Sequence, residues 1–134
     1  MDKLSIRATE FTPEVILDPG ANRFEISGES RPENAGKFYQ PILEWLDQYY
    51  SLRYWQDNKF TTQGNEPVFE FKLEYFNSTS AKFILDILKK LETFKKDGLV
   101  FAINWYYEGQ DLDMKESGEE FAKMTETPFQ LLQI

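Results

Sequence analysis

The chain contains no cysteine and no histidine. Without cysteine there is no disulfide, no thiolate nucleophile and no thiolate metal site. Without histidine the commonest general base and the commonest transition-metal ligand are missing. Any catalysis would rest on carboxylates, lysine, tyrosine or hydroxyls. No apolar run approaches the roughly 20 residues of a membrane span, so no membrane insertion is expected. The opening MDKLSIRATEFTPEV lacks the apolar region of a signal peptide, so a cytoplasmic location is expected. Positive charge is also scarce: 15 Lys and Arg against 23 Asp and Glu give a formal net charge of −8. Such a surface repels nucleic acid and anionic membranes and favours a partner with a basic docking face.

What is present suits one domain. The 134 residues are enough for one hydrophobic core, and twelve Phe, seven Tyr and three Trp argue against wholesale disorder. Residues 1–12 carry little pattern and read as a loose lead-in. Glu14 to Asp18 and Arg23 to Gly28 read as a hairpin joined by Pro19-Gly20-Ala21-Asn22. Ser30 and Glu33 have capping-box spacing, with Asn34 as a rival cap. The helix that follows places Ala35, Phe38, Tyr39, Ile42, Trp45, Leu46 and Tyr49 on one face and ends near Leu52 or Arg53. Pro41 predicts a kink or a late start. Asp57 to Pro67 reads as loop.

Residues 68–76 alternate as a strand. Phe69, Phe71, Leu73 and Tyr75 are expected on one face, and Glu70, Lys72 and Glu74 on the other, which stays partly wet. Ile84, Ile87, Leu88, Leu91 and Phe94 make the apolar stripe of a helix over about 80–96, closed by Gly98 as its C′ residue. A strand over 99–107, a helix over 111–124 weakened by Gly118, and a short strand over 129–134 complete the order ββαβαβαβ. The expected fold is a single α/β domain over 1–134 with a mixed sheet of four to five strands.

Between the central strand and its helix stand Asn77, Ser78, Thr79 and Ser80. Hydroxyls there lie at a helix N-terminus, where free N–H groups and the positive end of the dipole favour an oxyanion. One reading is a phosphorylation switch; the other is that one of them simply caps the helix. Asn77-Ser78-Thr79 also matches a glycosylation sequon, which has no use without a signal peptide.

Other constellations read as structural. Asp111 and Asp113 begin like a calcium loop, but Lys115 and Glu116 fall where that loop needs a ligand and a glycine. Asp86 and Glu92, or Glu44 and Asp47, could be offered as a hydrolase pair. They fall on polar helix faces, and Asp86 with Lys90 and Glu92 with Lys96 have ion-pair spacing. Trp45, Trp105 and Tyr107 could line a small-ligand pocket, the alternative function. Core packing is the plainer account of them. No phosphate loop, metal box or nucleophile elbow appears, so no cofactor and no metal are expected.

Three stretches, FEISGESRPENAGKFYQPILEWL at 24–46, KLEYFNSTSAKFILDILKKLE at 72–92 and INWYYEGQDLDMKESGEEF at 103–121, resemble the SiaC family of bacterial regulatory phosphoproteins. The resemblance implies a STAS-like fold, as in anti-sigma-factor antagonists. No enzymatic activity is expected of a chain without histidine, cysteine, a metal box or a phosphate loop. The resemblance also implies phosphorylation directly after the asparagine of an Asn-Thr-Ser-Ser pattern. Here that residue is Ser78, and the Ser-Thr-Ser order makes Thr79 the runner-up. It further implies a kinase with a histidine-kinase-like ATPase fold, an opposing PP2C-type phosphatase, and a target bound by the unphosphorylated form, in the family a diguanylate cyclase. Docking is assigned to Glu29, Glu33 and Asn34 of the Gly-Glu-Ser segment and to the aromatic pair Tyr106 and Tyr107.

Overall fold

The computed structural model describes residues 1–56 and 66–134. Within them the chain runs β1 (Leu4–Ile6), β2 (Glu14–Asp18), β3 (Arg23–Ser30), α1 (Ala35–Gln56), β4 (Val68–Phe76), α2 (Ser78–Lys96), β5 (Ala102–Tyr107), α3 (Leu112–Thr125) and β6 (Gln130–Gln133). The expected loop over 57–67 lies outside the described residues except for Glu66 and Pro67.

One sheet of six strands is formed, in the order β1-β2-β3-β4-β5-β6. The expected four to five strands are therefore corrected to six. The extra strand is β1, inside the stretch read as a loose lead-in. Leu4 pairs with Leu17 and Ile6 with Val15, antiparallel. Three residues are too short for alternation to show, but Leu4 and Ile6 pack on the core cluster. β2 and β3 pair antiparallel, while β3-β4, β4-β5 and β5-β6 are parallel, joined by α1, α2 and α3. Each crossover steps to the next strand in the same direction. With the usual right hand, all three helices land on one face of the sheet.

The core lies between that face and the helices. Val15, Leu17, Phe24, Ile26, Phe69, Phe71, Leu73, Ile103 and Trp105 face it from the strands. Tyr39, Ile42, Trp45, Leu46 and Tyr49 of α1 and the full expected stripe of α2 face it from above. The opposite face carries the alternate residues, including Glu25, Glu70 and Lys72. Lys72 Nζ lies 3.2 Å from Glu25 and 3.4 Å from Glu70. The hydrogen bond to Glu25 is the main cause of its raised pKa.

Three local expectations change. α1 is capped by Asn34, whose Oδ1 accepts from the Lys37 N–H at 3.0 Å. Ser30 is not the cap; it ends β3, fully buried. The helix also starts ahead of Pro41 and runs through it to Gln56, so the late start is excluded. In β4, the register moves from Gly28 opposite Leu73 to Glu29 opposite Tyr75. β4 thus advances two residues where β3 advances one, a bulge that inverts the alternation. Phe76, not Tyr75, turns to the core, edge-on to Trp105 at 6.2 Å between centroids. Tyr75 is left 47% exposed. Gly28 has φ of 108° at this bulge, a conformation that side-chain-bearing residues rarely adopt.

α2 closes as expected. Gly98, φ 108°, donates its N–H to the Lys95 carbonyl and Leu99 donates to Phe94, each at 3.0 Å. These are the two bonds of a Schellman motif.

Candidate functional site

The four parallel strands end at one edge of the sheet, and the N-termini of all three helices stand there. The hydroxyl corner is the middle of the three. Asn77, in extended conformation, is the N-cap of α2: its Oδ1 accepts from the Ser80 N–H at 2.8 Å, and its carbonyl accepts from Ala81 at 2.9 Å. Its own N–H donates to the Ser30 carbonyl at 3.0 Å. The helix therefore begins at Ser78, two residues before its expected start, because the asparagine outcompetes the hydroxyls as cap.

This separates the three hydroxyls. Ser78 and Thr79 occupy the first two helical positions and are exposed. Their N–H groups fall in the first turn, where no intrahelical carbonyl reaches. No acidic residue stands in that turn. Ser80 is fully buried. Its hydroxyl donates to the Ser30 carbonyl at 3.1 Å and accepts from the Ser30 hydroxyl at 2.9 Å. The Ser30 hydroxyl also bonds the Tyr39 hydroxyl. Burial raises the Tyr39 pKa, and the hydrogen bonds to Ser30 and Ser80 pull it back only in part. Ser80 thus ties α2 to β3 and, through Ser30, to α1, and it is closed to any enzyme. The sequence reading placed Ser30 as a cap and Tyr39 on a core stripe and missed their role at this corner. The available signal was Tyr39 on the core stripe, since a buried phenol needs a polar partner.

A phosphoryl group on Ser78 or Thr79 would meet the open end of the α2 dipole, with free backbone donors and exposed Lys82 one turn along. Around the corner, Glu29 lies opposite Tyr75 in register, and exposed Glu33 and Asn34 lead into α1. These residues share the corner's end of the domain. Tyr107 ends β5, with Lys115 Nζ 5.8 Å from its ring. Tyr106 is elsewhere, on the helix-free sheet face, with Lys72 Nζ 5.1 Å from its ring.

The rival constellations are occupied by structural work. Trp45 stacks on Tyr49 at 5.3 Å, and its Nε1 donates to the Asp2 carbonyl at 2.9 Å. Trp105 is fully buried and donates to the Met114 carbonyl at 3.0 Å. Asp47 pairs with Lys90 at 2.8 Å, which takes Lys90 from Asp86, and Glu92 pairs with Lys96 at 3.6 Å. Glu44 accepts from Gln40 at 3.1 Å. Asp111 caps α3, accepting from the Met114 N–H at 3.0 Å. Among the described residues no group of three or more acidic side chains is arranged to hold a metal ion. None of their helices is long and apolar enough to cross a membrane.

Residues 6–134 match the model of a family described as SiaC family regulatory phosphoprotein. An uncharacterised protein of Pseudomonas aeruginosa strain UCBPP-PA14 is 28% identical over 130 residues, 96% of this chain and 94% of that one. The crystal structure of apo-SiaC from P. aeruginosa superposes with a TM-score of 0.81 at 26% identity, covering all of both chains. A second similar structure is that of the P. aeruginosa diguanylate cyclase SiaD in complex with its activator SiaC. There the TM-score is 0.82 at 26% identity, over 98% of this chain and 99% of that one.

Proposed function

The chain belongs to the SiaC family of regulatory phosphoproteins, and from that premise we propose that it is a non-enzymatic switch protein. Its unphosphorylated form binds and activates a diguanylate cyclase, and phosphorylation at Ser78 releases that partner. A kinase with a histidine-kinase-like ATPase fold adds the phosphate and a PP2C-type phosphatase removes it. The logic is that of STAS-domain antagonists, in which the acceptor begins the helix after a central strand. Of the three hydroxyls Ser78 is preferred, as the exposed residue next to the cap; Thr79 is the alternative and Ser80 is closed off.

The observation that carries the reading is the chain-long likeness to a protein solved as the activator of its cyclase. The site chemistry supports it. A dianion at the start of α2 is stabilised locally by the dipole and free N–H groups, so the fold tolerates it. At a docking face the same dianion must be desolvated or set against like charge, at a cost of order 2–5 kcal/mol. The switch therefore acts on binding rather than on folding.

The test uses the purified chain and each diguanylate cyclase of its host, with cyclic di-GMP formed as the readout. Stimulation of one cyclase by the unphosphorylated chain, lost in Ser78→Asp and kept in Ser78→Ala, is the expected result. Absence of complex and of stimulation with every cyclase would remove the cyclase from the proposal.

A further inference from the structure

All three helices cover one face of the sheet, yet four of its six strands run parallel. Sheets that are parallel throughout are found almost only where both faces are covered, whereas antiparallel sheets commonly leave one face wet, and this sheet is mixed. Among the described residues no helix packs on the second face. Its side chains are not water-loving throughout: Ile16 and Tyr106 are half-buried there beside Glu25 and Lys72.

The charges on this face are unevenly matched. Across β3 and β4, Arg23, Glu25, Lys72 and Glu70 form a continuous ladder, with contacts of 3.4, 3.2 and 3.4 Å. Two cations there balance two carboxylates. Toward the ends of the parallel strands the face dips into a concavity of about 530 Å³. Its walls include Glu14, Glu74, Glu108 and Asp111, none of which forms an ion pair with a described residue. Among the described residues the one cation lining it, Lys72, is already held by Glu25 and Glu70. The half-buried ring of Tyr106 therefore lies beside a rim in which Glu14, Glu74 and Glu108 have no ion-pair partner among the described residues, while Asp111 is occupied as the α3 cap.

We propose that this helix-free sheet face is a docking surface for a basic amphipathic polypeptide segment, whose Lys or Arg side chains meet the rim while its apolar side lies on the strands. The occupant follows from the charge. A second copy would set one acidic rim against another, and like charges facing each other cost several kcal/mol. Six strands at about 4.8 Å spacing and roughly 20 Å length give a face on the order of 600 Å². That is close to one side of an ordinary protein interface, about 800 Å². It suits one helix or hairpin. The inference does not depend on phosphorylation of Ser78, which lies at the end of the sheet rather than on this face.

The test is an amide-NMR titration of the full chain with a synthetic Leu/Arg amphipathic helix, with its Leu/Glu counterpart as control. Shifts are expected at Ser27, Lys72 and Tyr106 with the basic peptide only. Glu14→Lys with Glu74→Lys should weaken binding at least about tenfold. The matched reversal of Glu116 and Glu120, exposed on α3, should change it less than about threefold. Should the strand variants unfold, Glu108→Lys makes the same test from outside the sheet. Shifts centred on α3, or equal losses from both reversals, would show bulk attraction and overturn the proposal. So would no binding, or a dimer abolished by the Glu14 and Glu74 reversals, which would make a second copy the cover.

Discussion

Gly118 interrupts α3 where alanine would be the better helix former, and replacing it probes how the last third of the fold is packed. An added Cβ would stand 2.5 Å from Trp105 Cδ1, 2.8 Å from Trp105 Nε1 and 2.8 Å from Leu131 Cδ2. The indole has nowhere to go. It is fully buried, enclosed by Phe71, Phe76, Phe121 and Phe129, and its Nε1 is bonded to the Met114 carbonyl. Overpacking of this kind costs about 1–3 kcal/mol. Displacing the indole would add about 1 kcal/mol for the strained hydrogen bond. Against this, glycine to alanine in a helix returns about 1 kcal/mol. The net expectation for Gly118→Ala is a loss of about 1–3 kcal/mol. Equilibrium urea unfolding followed by tryptophan fluorescence measures it. Gly109→Ala is the control, because its Cβ meets only the far end of the exposed Gln133 side chain. That variant should stay within about 0.5 kcal/mol of the parent. A Gly118→Ala protein as stable as the parent, or more so, would refute the claim that α3 rests directly on Trp105.

Trp45→Ala should lose about 3–5 kcal/mol in the same unfolding assay, since it removes a buried ring stacked on Tyr49 and tilted against Phe24; a loss below about 1 kcal/mol would make that face of α1 surface. Ser80→Ala should lose about 1–3 kcal/mol by stripping Ser30 of a buried partner, while leaving the phosphorylated residue unchanged on peptide mapping. The Tyr50 hydroxyl donates to Asp97 at 2.6 Å, and this bond pushes its pKa up from 10.0 to about 12. Ultraviolet titration of the phenolate should show that midpoint, and Asp97→Asn should lower it. The sign follows: the folded phenol holds its proton longer than the unfolded one. Its contribution to stability is therefore complete below pH 10.0 and disappears as pH rises through about 12.

The long elements were legible because their burial is periodic. The α2 stripe from Ile84 to Phe94 and the inward residues Phe69, Phe71 and Leu73 follow from spacing alone, and Gly98 announced the end of α2. What was hidden was short or cooperative. β1 has three residues and becomes a strand only because β2 offers a free edge and a place for Leu4 and Ile6. The inversion at Tyr75 arises from a register change between β3 and β4, and a register belongs to two strands together. The site was half legible. The composition marked 77–80 as a hydroxyl corner at a helix start, yet which hydroxyls are exposed depended on Asn77 taking the cap. It depended equally on Ser30, 50 residues away in sequence, taking Ser80. That long-range pairing leaves no local pattern to read.

The central claim is that a phosphate on the first residue of α2 uncouples the protein from its cyclase without disturbing the fold. One measurement addresses it most directly: the affinity of a single preparation for the cyclase, before and after full modification by the cognate kinase, with the modified residue mapped by peptide mass spectrometry. The expected result is one phosphoryl group on Ser78, an unfolding midpoint close to that of the unmodified chain, and an affinity lower by about thirtyfold or more, the lower end of a 2–5 kcal/mol cost. Phosphate on Thr79 would move the acceptor by one residue and keep the mechanism. No phosphate within 77–80, or a phosphorylated chain that binds the cyclase as tightly as before, would contradict it.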